Sequence, residues 1–183
     1  MDLRYGFKSE AERKAKQFRQ KLNLRTIDPL PARQLAKHLG LLVIPVDRLP
    51  GADGMCQTLK GDSGWSAVTV MSFSSPTIIY NPVHSAARQQ SNFMHEMAHL
   101  IEEHEPSGFD WSKGLPCRSY DRAQEDEAAW LGGCLQIPRK AMLRAVSRGM
   151  DNETIARHYT ASTQMVQFRR NVTGVDQQLK NRW

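Results

Sequence analysis

SNFMHEMAHLIEEHE, residues 91–105, decides how this chain is read. Phe93, Met97, Leu100 and Ile101 recur at helical spacing, so the stretch predicts an amphipathic helix from about residue 84 to 103. On that helix His95 and His99 lie one turn apart, differing by only about 40° around the axis and about 6 Å along it. Both imidazoles can therefore reach one ion. Zinc accepts neutral imidazole nitrogen, and a catalytic site keeps a position open for solvent, which leaves room for one further protein ligand. Glu96, beside the first histidine, is placed as a general base that takes the proton of an attacking water and hands it to the leaving amine. The bland alternative is two incidental histidines on a solvated helix face, since so short a pattern also arises by chance. The strand-like PTIIYN before the helix and the acid-rich helix after it favour the metal.

The third ligand is expected from EDEAAWLGGCLQIP, residues 125–138. Glu125 shares a helical face with the small residues Ala128, Ala129 and Gly132, which let a second helix pack closely. Asp126 and Glu127 compete for the role but point about 100° and 200° away. They read instead as solvated acids near a helix N-terminus.

The chain has 183 residues, enough for one compact domain with a small appendage. Cys56, Cys117 and Cys134 are an odd number without CxxC spacing, which fits a reducing compartment rather than a disulfide framework. The charged N-terminal stretch does not read as a secretory signal, and no apolar run is long enough to span a bilayer. A soluble, cytoplasmic protein without membrane partners is the expectation. A net charge of +6 would favour acidic partners, but the basic residues are scattered and read mostly as solvated helix faces.

Along the chain, Ser9 and Glu12 form a capping-box pattern ahead of a first helix carrying Ala11, Ala15, Phe18 and Leu22. A second helix is expected from about Pro31 to Leu39, stopped by Gly40. LLVIPV (41–46), WSAVTVMSF (65–73) and PTIIYN (76–81) read as strands of one small sheet, with LPGADG (49–54) and KGDSG (60–64) as turns. Residues 105–121 read as a long loop. Helices follow from about 122 to 136 and from 139 to 147, and then a closely spaced pair. The order predicts an α+β fold, a small mixed or antiparallel sheet packed on the HExxH helix, with residues 1–138 as the main domain and 139–183 as a helical extension.

Together these stretches resemble the ImmA/IrrE family of zincin-like metallopeptidases, bacterial and phage regulators. The resemblance runs from IIYN through ARQQSNFMHEMAHLIEEH to EDEAAWLGGCLQIP, with Trp130, Gly132, Gly133 and LQIP departing from the usual family residues. It implies His95, His99 and Glu125 as zinc ligands and Glu96 as general base. It also implies cleavage of a helix-turn-helix repressor, inducing stress-response or mobile-element genes. The ligand set alone also admits Mn²⁺ or another divalent ion.

Residues 151–174 have the outline of a helix-turn-helix, with Ser162 as cap, Met165, Val166 and Phe168 on the second helix beside Arg169 and Arg170, and Thr163 and Gln164 where a DNA reader meets base edges. Plain packing or substrate docking is favoured over direct nucleic-acid binding. Glu103 could orient an imidazole ligand, although an exposed acid run explains Glu103 and His104 as well. His84, Tyr80 and Tyr120 are candidate oxyanion donors. Cys117 could close the site as a thiolate, though a loop cysteine without a role is the simpler reading. The alternative function is a DNA- or protein-binding regulator whose metal site is structural or vestigial; an intact Glu96 and the lack of a dense basic face argue for the peptidase.

Overall fold

The computed structural model describes residues 1–49, 66–71, 75–106, 108–110 and 117–181. Helix α1 (Phe7–Lys21) starts earlier than its sequence pattern suggests, with Gly6 as N-cap at φ 80° and no side-chain cap. The Ser9/Glu12 capping box does not form, because Phe7 is anchored in the core and Glu12 is engaged by Arg169 and by the Arg139 amide. Helix α2 (Ala32–His38) has Pro31 at its N-cap, and Gly40 follows at φ 71°, a left-handed position that glycine occupies without a Cβ clash.

Strands β1 (Leu42–Pro45), β2 (Ala67–Met71) and β3 (Pro76–Tyr80) form one mixed sheet of order β1-β3-β2. β1 runs parallel to β3 with Val43 opposite Ile78, and β2 runs antiparallel with Thr69 opposite Ile78. The central strand is apolar because both its faces are covered, and Ile78, Ile79 and Tyr80 are buried. The turns expected at 49–54 and 60–64 lie, apart from Leu49, outside the described residues, as does Cys56.

Helix α3 (Ala86–Ile101) is capped by Ser85, whose hydroxyl accepts from the Arg88 amide, and buries Phe93, Met94, Met97 and Ala98 against the sheet and the next long helix. The expected loop at 105–121 is partly a hairpin, β4 (Gly108–Asp110) pairing antiparallel with β5 (Cys117–Ser119). Its Gly, Pro and Ser residues hid the short strands. Helix α4 (Arg122–Gln136) begins with a complete capping box between Asp121 and Gln124 and then runs through the core. Gly132 makes the approach of α3 and α4 close: a Cβ there would lie 3.3 Å from the Met94 carbonyl oxygen and 3.4 Å from the His95 backbone.

Helices α5 (Arg139–Ser147), α6 (Asn152–Tyr159), α7 (Thr163–Thr173) and α8 (Val175–Lys180) enclose a second apolar cluster built on Ile137, Met142, Ile155 and Val166. The closing helix α8 was not expected. Ser162 caps α7 by accepting from the Met165 amide, as its position suggested. The pair Arg169 and Arg170 is not a phosphate-facing surface. Arg169 is fully buried, its guanidinium donating to the Ile137 carbonyl at 2.9 Å and to Glu12, and Arg170 forms a fork with Asp176 at 2.7 Å.

Candidate metal centre

The third and fourth turns of α3 present His95 and His99 toward the first turn of α4, where Glu125 stands. His95 Nε2 lies 3.2 Å from His99 Nε2 and 3.2 Å from Glu125 Oε2, and His99 Nε2 lies 3.6 Å from Glu125 Oε1. A tetrahedral ion with bonds of about 2.0–2.1 Å holds its ligand atoms about 3.4 Å apart, so the spacing of the three donors suits a small divalent ion. Two imidazole nitrogens aimed at each other and at one carboxylate also have little reason to converge in a hydrogen-bonded network alone. Burial pulls His95 down, but its bond to Glu125 and the charges of Glu96 and Glu125 outweigh this, so it keeps its proton above the ordinary histidine range. The same bond draws Glu125 below the usual carboxylate range against the opposing effect of burial.

Glu96 stands beside this triangle, and the Thr69 hydroxyl of β2 donates to its Oε2 at 2.7 Å. Burial raises its carboxyl above the usual range despite that bond and the neighbouring His95. A cleft of about 410 Å³ opens beside Glu96 and His95. Ser66 and Ala67 at the start of β2 line one side, Ala129, Gly132 and Gly133 of α4 another, and Met165 and Phe168 of α7 close it. The helix-turn-helix-like pair therefore directs the apolar side of its second helix at this cleft, while Thr163 and Gln164 stay exposed.

The other candidates separate. Tyr120 is at the centre, its ring stacked on His99 at 3.8 Å. Tyr80 is buried, accepts from Arg33 at 2.8 Å and packs edge-on to Phe93, and neither it nor the buried His84 lines the cleft. Glu103 is exposed, whereas His104 stands against His99, with its Nδ1 3.0 Å from His99 Nδ1. Glu127 is not a solvated acid. It is buried, ion-paired with Arg4 and 3.4 Å from His104 Nε2. The side chain of Cys117 lies outside the described residues.

A profile of the IrrE N-terminal-like domain, a peptidase family, matches residues 54–171, well over half the chain. The chain belongs to this IrrE-like peptidase family. The match includes α3, α4 and most of α7, so the IrrE-like region runs past residue 138. Among solved structures, a Mycobacterium tuberculosis transcriptional regulator is similar with a TM-score of 0.54 and 13% identity, over 86% of this chain and 45% of that one. This chain thus spans less than half of that regulator, and the likeness is one of fold. No curated protein matches the sequence. Among the described residues no helix is long and apolar enough to cross a membrane.

Proposed function

We propose that this IrrE-like chain is a zinc-dependent endopeptidase acting as a regulatory switch in the cytoplasm, cutting a partner protein such as a helix-turn-helix repressor of stress-response genes. The observation that carries the reading is the convergence of His95, His99 and Glu125 on one point, with Glu96 beside them at the wall of a cleft. His95, His99 and Glu125 would hold the ion, which when bound supplies a Lewis acid for the scissile carbonyl and acidifies water. Glu96 accepts the proton of the attacking water and returns it to the leaving amine. The bond from Thr69 fixes one oxygen of the Glu96 carboxylate at the wall of the cleft, and the burial that raises its carboxyl above the usual range makes it a stronger base. The apolar walls exclude water from the scissile bond. The division into a main part, 1–138, and a helical part, 139–183, belongs to the same reading; the helices after residue 138 supply most of the second apolar cluster, which Ile137 and Ile27 join from before that point.

The test is to purify wild type and Glu96→Gln, measure bound metal, and incubate each with the helix-turn-helix protein encoded beside this gene. Stoichiometric metal in both and cleavage by wild type alone are expected. A partner bound but left whole by metal-loaded wild type would move the reading to a regulator that acts by binding. The α6–α7 pair, with Thr163 and Gln164 exposed, is the observation favouring direct DNA binding instead; the engaged Arg169 and Arg170 weigh against it.

A further inference from the structure

His104 lies five residues after His99, which on an uninterrupted helix would set the two about 140° apart. The helix is interrupted. α3 ends in a Schellman turn in which the Glu103 amide bonds the Leu100 carbonyl at 3.2 Å and the His104 amide bonds the His99 carbonyl at 3.0 Å. Glu103 occupies the left-handed position of that turn at φ 54°, a conformation that side chains other than those of asparagine and aspartate rarely adopt. The reversal folds the His104 ring back over His99, and both side chains are almost fully buried.

We propose that His104 and Glu127 are positioning residues for the metal ligand His99, joined to it in a relay that runs through Arg4 to the surface. The proposal rests on the metal reading given above. With His99 Nε2 facing His95 and Glu125, the proton of a neutral His99 ring sits on Nδ1, which donates to His104 Nδ1 at 3.0 Å. His104 then carries its own proton on Nε2, facing Glu127 Oε2 at 3.4 Å. Glu127 is held in turn by the Arg4 guanidinium, which also reaches Glu10 at 3.1 Å and the buried Glu102 at 3.0 Å. Lys14 completes the group by bonding Glu102 at 2.8 Å. Between His99 and Glu127 this order of donors and acceptors is met by one pair of tautomers, with the protons on His99 Nδ1 and His104 Nε2. A metal-bound imidazole normally gives its second N–H to a carboxylate or carbonyl, which fixes the ring and raises its basicity. Here an extra imidazole stands between ring and carboxylate, and Arg4 and Lys14 link the metal ligand to the N-terminal segment and α1.

The experiment compares wild type with His104→Leu, His104→Gln and Glu127→Gln. Zinc affinity is read by chelator competition, the cobalt-substituted proteins by their ligand-field spectra, and the His99 and His104 tautomers by ¹⁵N NMR. His104→Leu should weaken zinc binding roughly 10–100-fold and shift the cobalt spectrum. His104→Gln, which keeps an acceptor and a donor, should recover most of the affinity. Glu127→Gln should fall between them, and it still decides the matter should the leucine variant fail to fold. The wild-type rings should carry their protons on His99 Nδ1 and His104 Nε2. Equal affinities in wild type, His104→Leu and Glu127→Gln, or the opposite His104 tautomer, would overturn the relay and leave the peptidase reading standing. Metal bound with these dependences and no partner cut would do the reverse.

Discussion

At the scale of single residues, a metal held by His95, His99 and Glu125 would compete with protons for the same nitrogen atoms. His95 keeps its proton above the ordinary histidine value of 6.5, so in the metal-free protein the proton competes for Nε2 at a higher pH than an isolated histidine would allow. Zinc affinity should therefore be level at high pH and fall as pH drops through this raised value, with proton release on binding. Calorimetry in buffers of different ionisation enthalpy measures both. Glu125→Gln removes the main interaction holding His95 up, so the decline should begin at lower pH, on a weaker overall affinity. An onset unmoved by this change would mean that Glu125 does not face His95. The closeness of His95 and His99 was legible in the sequence because an i, i+4 pair is a local fact of helix geometry. Glu125 was legible through the small residues on its face. Glu127 was misread as solvated, because its burial depends on Arg4, more than a hundred residues away in the chain. Thr69 carried no local signal, and its bond to Glu96 exists only once β2 lies against α3.

Among the elements, the spacing of α3 and α4 decides whether their donors meet. Gly132→Ala should improve intrinsic helix propensity by about 1 kcal/mol. It should nonetheless destabilise the protein by about 1–3 kcal/mol, because the new methyl meets the backbone of Met94 and His95, which cannot rotate away. Separating the helices also parts Glu125 from His95 and His99, so zinc affinity should drop with stability. Urea unfolding and chelator competition on one preparation test both effects, and a stable variant with unchanged affinity would refute the role given to this glycine. Helices with strong apolar periodicity were foreseeable: α5, α6 and α7 all lie where their patterns put them. Less was foreseeable where tertiary contacts overrode a local preference. Ser9 and Glu12 had the composition of a capping box, but Glu12 instead serves Arg169 and the Arg139 amide. The β4–β5 hairpin was read as loop because strands of three residues leave too short a pattern to recognise.

For the molecule as a whole, two buried arginines fasten the parts together. Arg19 of α1 donates to the Leu135 and Gln136 carbonyls at 2.8 and 3.2 Å, satisfying groups that the end of α4 leaves without helical partners. Burial lowers its guanidinium to about 10. Arg169 of α7 does the corresponding work between the C-terminal helices, Ile137 and Glu12 of α1. Arg169→Met should cost about 3 kcal/mol, since it strands the Glu12 carboxylate. Adding Glu12→Gln should restore part of that loss, a non-additivity that a double-mutant cycle in urea would register. Strict additivity would mean the pair is not coupled. Because Met165 and Phe168 of the same helix line the cleft, Arg169→Met should also disturb whatever binds there. The sequence by itself determined most of the helices, the α+β class and the histidine pair, because periodicity and i, i+4 spacing are properties of a few consecutive residues. Only the tertiary structure decided that α7 closes the cleft, that Glu127 is buried, and that His104 backs His99. Each of those depends on a chain reversal or a contact between distant segments, and no local pattern of residues records where such segments meet.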